Sequence, residues 1–335
     1  MYLDRYPDVN TACAGDHSCA LSHYLTSGWV QKRLGVAVDG SKYLRWTLAD
    51  AQQGLYVSGS ARTAGAIDSV VWNSVEFINA CDHGRELQVA VTLDGHGECY
   101  NPTEAGSNRD LRGSFFSSTS QLISITSGNN AALETSVNPA FWLAPGEKEA
   151  QPSAGCSVAL NTVLTSTYTT TKSVTFVPGV PGALLYNFTT VIADAVSSML
   201  QVEAPTAYLT KEFTSFYAAD TSTGALAPLD PSQFAPCSGI AANRPIVISR
   251  PDGSAAMGAC TAPPQDSSTK LTYFGCNFAQ LTPFDNGTTK WSIVMQRFAP
   301  SAAGDVFSRV SYVQNSLIQR QIVTLAQVCV RGLAE

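Results

Sequence analysis

Short runs of alternating or β-branched residues, separated by Gly, Pro, Asn, Asp and Ser, dominate this chain from about residue 40 onward. Because side chains on a β-strand point alternately to its two faces, such spacing is typical of a large antiparallel β-sandwich. In Leu87–Leu93 the apolar residues are expected to enter the core, whereas Gln88, Ala90 and Thr92 form a small polar face for solvent or a ligand. The other predicted strands are Tyr43–Leu48, Ile67–Trp72, Leu122–Thr126, Ser173–Val177, Leu184–Ile192, Ile246–Ser249, Leu271–Gly275, Trp291–Phe298 and Val306–Val313.

The chain divides by pattern into two predicted units. Residues 1–38 are expected to form a small helical unit, in which Asp16 or Ser18 caps a helix that ends near Gly28. Residues 39–335 are expected to form the β-sandwich domain.

Three stretches of the second unit lack a clear strand pattern. Residues 219–240 and 250–268 are rich in Pro, Gly, Ser and Ala, which predicts long loops. The segment 317–328 fits either a strand or a C-terminal helix, and we favour the helix.

The composition limits the partners of the chain. Charged residues make up 14% and the formal net charge is -6, so a basic footprint is missing and we expect no nucleic-acid partner. No apolar run reaches the roughly 18–20 residues of a membrane span. Nine cysteines without a CxxC pair, in a chain poor in charge, indicate an oxidising compartment, and we expect a secreted protein.

Cysteine pairing follows only in part from the sequence. Cys13 and Cys19 are close enough along the chain for a local bridge, and a bridge between Cys81 and Cys99 is a hypothesis that would bring His83 near Tyr100. The remaining pairings stay open. No signal peptide is recognisable at the start, and we expect Met1 to mark a truncation boundary or a trimmed precursor.

The residues best suited to chemistry concentrate between Glu76 and Asp110. Histidine, arginine and carboxylates occur there beside glycines, which permit close backbone approach to a ligand. Each residue also has a structural interpretation, such as a turn or an ion pair, and their coincidence is what favours a site. The candidate catalytic residues are His83, Arg85, Glu98, Tyr100 and Glu104, and the candidate substrate-binding residues are Trp72, Glu76, Asp82, Gln88, His96, Asn101 and Trp142.

Two motifs resemble those of known proteins. The first resembles a pattern in secreted microbial β-sandwich proteins and consists of Asp82-x-Gly84-Arg85-x-x-Gln88 and Asn101-Pro102-x-x-Ala105-Gly106-Ser107. That group is loosely associated with polysaccharide-active enzymes of the galactose-mutarotase-like supersandwich, so the resemblance implies this fold and a carbohydrate context. The second resembles a short helical motif beside extracellular domains, with Tyr2-Leu3-x-x-Tyr6-Pro7-Asp8-Val9 and Ala20-x-x-His23-Tyr24-x-x-x-Gly28.

Hydrolysis of a polysaccharide is the function that these residues favour slightly. It needs two carboxyl groups beside the glycosidic bond, one of them kept protonated by a less polar site. Glu98 and Glu104 are the best pair, with Glu76 and Glu203 in reserve.

Two alternatives remain open at this point. A polysaccharide lyase acts on a uronate polymer by β-elimination, for which Arg85 would neutralise the carboxylate, His83 would take the proton and Tyr100 would act as the acid. The second alternative is a protein that binds carbohydrate or mediates adhesion without catalysing a reaction. No zinc-binding helix, phosphate-binding loop or nucleophile elbow is present, so we expect no cofactor, while a structural calcium ion is compatible with the loops.

Overall fold

Antiparallel β-strands make up nearly all of the regular structure, in two sheets that pack face to face as the predicted sandwich. The computed structural model describes residues 11–13, 19, 23, 45–80, 86–110, 118–128, 131–149, 156–234, 240–242, 244–264, 266–277 and 287–317. The strands are β1 (Arg45–Asp50), β2 (Leu55–Ser60), β3 (Ile67–Trp72), β4 (Val75–Glu76), β5 (Leu87–Leu93), β6 (Pro102–Thr103), β7 (Gln121–Thr126), β8 (Leu133–Asn138), β9 (Ala140–Phe141), β10 (Thr169–Phe176), β11 (Ala183–Val191), β12 (Leu200–Leu209), β13 (Ser215–Ala219), β14 (Leu226–Leu229), β15 (Ile240–Ala242), β16 (Ile246–Ser249), β17 (Ala256–Thr261), β18 (Thr269–Asn277), β19 (Thr289–Arg297) and β20 (Val306–Ser316). Short 3-10 helices span Ala61–Thr63, Gly97–Tyr100 and Pro231–Phe234.

The larger sheet, sheet A, has the strand order β1-β2-β3-β5-β12-β19-β18-β15, with β4, β6 and β9 attached beside this path. Strand β5 pairs with β3 only where Ile67 meets Leu87, and farther along it pairs with β6 where Ala90 meets Thr103. On one side, strand β5 therefore pairs with β3 at its start and with β6 nearer its middle. The smaller sheet, sheet B, has the order β14-β13-β16-β17-β20-β11-β10-β8-β7.

The core lies between the two sheets. The side chains of Leu87, Val89, Val91 and Leu93 on β5 all join it, as their alternation predicted. Apolar residues at alternate positions of the neighbouring strands do the same, for example Trp291 on β19. The opposite face of sheet A is consequently built from the intervening residues, which are mostly polar.

The central strand β12 was not among the predicted strands. It contains Pro205, which cannot donate a ladder hydrogen bond and therefore argues against a central strand. The structure accommodates this proline at a register shift between Glu203 and Thr206, where the pairing with both neighbouring strands is interrupted. A β-bulge of this kind locally releases the proline from the ladder.

The expectation of long loops over 219–240 and 250–268 was wrong in part. Strands β14 and β17 lie in these stretches. The small residues of β17 have weak strand preference, but β17 is buried between β16 and β20, and the space there is narrow. A Cβ atom on Gly258 would lie 2.7 Å from Cγ2 of Val247. Tertiary packing thus selects small residues in this strand.

The ends of the chain are described only in small part. Thr11–Cys13, Cys19 and His23 are helical, and the rest of the predicted unit 1–38 lies outside the described residues. The predicted C-terminal helix lies outside them as well, apart from Leu317, which is not helical. Within the described part of the chain, no helix is both long enough and apolar enough to cross a membrane.

Candidate functional site

The two halves of the sequence motif are joined by a hydrogen bond. The backbone N–H of Ala105 donates to Oε1 of Gln88 at 2.7 Å, and Gln88 is buried. Gly106 has a φ of +127°, and a Cβ atom there would lie 2.1 Å from Oδ2 of Asp110. The bond from Ala105 to Gln88 therefore holds strand β5 against the loop that follows it. Because Gln88 is buried, it is not exposed for the substrate contact that the sequence predicted.

Glu104 is sealed inside the sandwich. Its Oε1 contacts Nζ of Lys172, and the side chains of both residues have 0% exposure. Its Oε2 accepts a hydrogen bond of 3.0 Å from the backbone N–H of Val89. A side chain without exposed surface has no face for a glycan, so the pairing of Glu98 with Glu104 across a glycosidic bond finds no support in the geometry.

The loop after β5 carries three of the predicted site residues. Asp94 fixes this loop, because its carboxylate accepts hydrogen bonds from the backbone N–H groups of residues 197–199, and these bonds hold its pKa well below the usual range against the opposing effect of burial. His96 is partly buried and Glu98 is exposed. Tyr100 follows them at the end of the 3-10 helix.

The disulfide of this loop differs from the expected one. Cys99 is bonded to Cys156, not to Cys81 as hypothesised. The predicted local bridge between Cys13 and Cys19 is confirmed. The sequence cannot distinguish these cases, because Cys156 lies in a different loop that only the fold brings against Cys99.

Tyr100 and Asp194 form a polar contact at one end of the sandwich. The hydroxyl of Tyr100 donates a hydrogen bond of 2.6 Å to Oδ2 of Asp194. Burial and the adjacent carboxylate raise the pKa of Tyr100 far above its usual value, and the same two causes raise that of Tyr168, which is buried beside them. Both phenols therefore stay protonated. Asp194 was not predicted, since it lies 94 residues from Tyr100.

The remaining aromatic and amide candidates have structural contacts. The Asn101 side-chain amide donates to Oγ1 of Thr92 at 2.9 Å, and its backbone carbonyl accepts a bond of 2.8 Å from the N–H of Trp142. Trp142 is partly buried, and Trp72 packs against the core between the sheets. The predicted residues Asp82, His83 and Arg85 lie outside the described residues.

Glu76 has an unusual environment for a carboxyl group. Burial raises its pKa to about 7, although hydrogen bonds from the Ser69 hydroxyl and from the backbone N–H groups of Ile78 and Val70 act in the opposite direction. The side chain lies at the end of the β3–β4 hairpin. A carboxyl group that is partly protonated near neutral pH is suited to donate a proton.

A polar cluster that the sequence analysis largely missed lies on the outer face of sheet A. Nζ of Lys290 on β19 is 2.6 Å from Oε2 of Glu203 on β12 and 5.2 Å from the ring centre of Tyr208. The hydroxyl of Ser292 lies 3.3 Å from the same carboxylate oxygen. Because the neighbours of these residues along each strand enter the core, all four point away from it. We call this face, with Gln201, Glu203, Tyr208, Lys290, Ser292 and Gln296, the polar face.

The electrostatics of the polar face keep Lys290 charged. Burial alone would lower the pKa of its ammonium group, but the negative charge of Glu203 and the contact with Tyr208 raise it above the usual value. The Lys290 and Glu203 side chains are 10% and 18% exposed, so the pair still meets solvent. Beside it, the amide of Gln296 donates to that of Gln201 at 2.9 Å.

The sequence analysis identified one residue of the polar face, Glu203, as a reserve carboxylate for hydrolysis. It did not identify Lys290, which immediately precedes the predicted strand Trp291–Phe298. Extending the alternation of β19 by one residue would have placed Lys290 on the same face as Ser292. Among the described residues, no group of three or more His, Cys, Asp or Glu side chains is arranged to hold a metal ion.

Comparison with known proteins does not assign a family. No family model and no curated protein matches the chain. Among solved structures, a putative aldose 1-epimerase from Escherichia coli K12 is 11% identical, with a TM-score of 0.40 over 82% of this chain and 99% of that one. A GalM/aldose epimerase homologue from C. elegans is 9% identical, with a TM-score of 0.41 over 82% and 99% of the two chains.

A heparan sulfate lyase from Pedobacter heparinus is also similar in structure. It is 9% identical, with a TM-score of 0.40 over 94% of this chain and 42% of the lyase. At identities and scores this low, the similarity carries no information about activity. The fold class of this chain, an antiparallel β-sandwich with a polar outer face on its larger sheet, is established by its own strand pairing.

Proposed function

We propose that this protein is a carbohydrate-active enzyme that cleaves a polysaccharide on the polar face of sheet A. The observation that carries the proposal is the contact among Lys290, Glu203 and Tyr208, in which a cation, a carboxylate and a phenol meet just below the outer surface of sheet A, with 10% and 18% of the Lys290 and Glu203 side chains exposed. The side-chain amides of Gln201 and Gln296 flank them, and groups of this kind bind sugar hydroxyls by hydrogen bonds.

Of the two cleavage reactions, β-elimination fits this cluster better than hydrolysis does. Elimination requires a positive charge near the carboxylate of a uronate sugar, a base for the C5 proton and an acid for the leaving oxygen. Lys290 supplies the charge, Glu203 is the proposed base and Tyr208 is the proposed acid. As the C5 proton moves to Glu203, the C4–O4 bond breaks, a C4–C5 double bond forms and the leaving oxygen takes a proton from Tyr208.

Hydrolysis remains the second candidate because of one observation. The pKa of Glu76, raised to about 7, is that of a general acid, and Glu203 is the carboxylate proposed as its partner. The preferred hydrolytic pair of the sequence analysis is no longer part of the proposal, since Glu104 is sealed in the core.

The test is an assay of the purified protein on a panel of uronate polymers and neutral glycans, with two readouts. New reducing ends report cleavage by either reaction, whereas absorbance of the unsaturated sugar in the ultraviolet reports elimination alone. We expect both signals on at least one uronate polymer. Reducing ends without absorbance would replace elimination by hydrolysis, and glycan binding without either signal would leave a binding protein.

The variant Lys290→Met connects the activity to the polar face. Loss of the charge should lower the rate by about 100-fold or more, the range in which a catalytic group usually contributes. Lys211→Met is the matched control, because Lys211 is exposed in the loop after β12. Equal activity of the two variants would remove the polar face from the proposal.

A further inference from the structure

The sealed contact between Lys172 and Glu104 has no part in the proposed reaction. Lys172 lies on β10 of sheet B, and its side chain reaches across the core to Glu104, next to β6 of sheet A. Transfer of two charges from water into such an interior costs several kcal/mol per ion, which their attraction offsets only if the geometry is excellent. A reaction that removes both charges would therefore be favoured at this place.

Backbone groups hold each partner for such a reaction. The carbonyl oxygen of Gly65 accepts a hydrogen bond of 3.0 Å from Nζ of Lys172, which fixes the nitrogen at the carboxyl group. The N–H of Val89 donates at 3.0 Å to Oε2 of Glu104. Transfer of one proton from the ammonium group to the carboxylate would place a free amine next to a carboxylic acid, the two reactants of an amide bond.

We propose that Lys172 and Glu104 are joined by an intramolecular amide bond that links the two sheets. The lone pair of Nζ attacks Cδ of Glu104 and forms the N–C bond, while the N–H of Val89 stabilises the charge that develops on Oε2. The bond from Cδ to Oε1 breaks, and Oε1 leaves as water with the carboxyl proton and one proton from the nitrogen. The reaction needs no oxidant, metal or cofactor, and it is independent of the proposed activity.

The exclusion of bulk water supports the same conclusion. Both side chains have 0% exposure, and Val174, two residues beyond Lys172 on the same strand, is fully buried as well. Water is the product of amide formation and the reactant in its reversal, so a dry site favours the amide. The link would connect residues 68 positions apart, in different sheets, and would resist separation of the sandwich.

Intact mass spectrometry of the full chain, denatured and with its disulfides reduced, tests the proposal. The expected mass is lower by one water than the mass calculated from the sequence. The variant Lys172→Arg retains a cation but lacks the amine, and it should show no such loss. A wild-type protein of full mass, or the same loss of water in Lys172→Arg, would overturn the proposal.

A peptide map of the wild-type protein decides the question even if the variant fails to fold. Digestion should yield a branched peptide in which the segment containing Lys172 is attached to the segment containing Glu104, with no cleavage by trypsin after Lys172. Recovery of the two segments as separate linear peptides, with cleavage after Lys172, would show that the amide bond is absent.

Discussion

Two lysine–glutamate contacts lie in the described part of this molecule, one between the sheets and the other on the outer side of sheet A. Lys172 and Glu104 are without solvent exposure, whereas Lys290 and Glu203 are 10% and 18% exposed. The same two residue types thus occur both sealed in the core and at the edge of the solvent. The comparison shows that position in the fold, and not residue type, separates a contact closed to water from the one on which the proposed function rests.

The largest expected effect distinguishes the sealed pair from an exposed carboxylate. Glu104→Ala leaves Lys172 buried without its partner, and loss of one member of a buried pair costs about 3–5 kcal/mol in the free energy of unfolding. Glu134→Ala is the control, since Glu134 is exposed on β8. Denaturant unfolding measures both. Equal stabilities of the two variants would mean that the sealed contact contributes nothing to the fold.

A double substitution sharpens this first prediction. Replacing Lys172 with Met and Glu104 with Leu removes both members of the proposed amide link and keeps apolar volume in the core. Since this double variant has no buried lysine without a partner, we expect it to recover part of the stability lost in Glu104→Ala, but not the part that the link between the sheets contributes. Recovery to the full stability of the wild type would mean that the amide link contributes nothing.

The second effect concerns the Lys290–Glu203 pair on the polar face and should appear in activity. Glu203→Gln removes the proposed base while keeping a hydrogen-bonding side chain, and we expect a rate loss of about 100-fold. Glu212→Gln serves as the control, because Glu212 is exposed in the neighbouring loop. A variant Glu203→Gln with full activity would exclude Glu203 as the base.

A smaller effect is expected at the end of the sandwich. Tyr100→Phe removes the hydrogen bond to Asp194 while retaining the ring that packs against Phe141. The net contribution of one hydrogen bond is about 1 kcal/mol, so the free energy of unfolding should fall by that amount. Tyr217→Phe is the control, because it removes the same hydroxyl group from a partly exposed tyrosine of β13. An unchanged stability for Tyr100→Phe would show that water replaces the bond without cost.

A further effect on stability is a pH dependence caused by Glu76. Its pKa is raised from 4.5 to about 7 in the folded protein, so the folded state binds more protons than the unfolded state between these values. The stabilising contribution is therefore complete below about pH 4.5 and is lost as the pH rises through about 7. Unfolding curves over this range should decline less steeply for Glu76→Gln. Parallel curves for the variant and the wild type would contradict the raised pKa.

Sequence reasoning succeeded where alternation was regular. Strands β3, β5 and β16 were predicted with the bounds that the structure has, and the inward residues of β5 were identified correctly. It failed at β12, where Pro205 conceals a central strand, and this strand carries Glu203 and Tyr208. Part of the candidate site was thus lost with the strand that bears it.

The motif residues show a second kind of error. Gln88, Ala105 and Gly106 stand out in the sequence as a functional pattern, but in the structure they fix one strand to its following loop. A residue that is needed for a turn or a buried hydrogen bond is as distinctive in sequence as one that meets a substrate. Only burial distinguishes the two, and burial is a property of the whole fold.

The sequence by itself determined the sandwich, because strand alternation and turn-forming residues are local signals that each segment carries alone. The tertiary structure decided which carboxylates are sealed in the core and which reach the surface. Glu104 meets Lys172 across 68 residues, and Glu203 meets Lys290 across 87. Such contacts depend on which strands become neighbours and in which register, and a shift of one residue would turn each side chain to the other face.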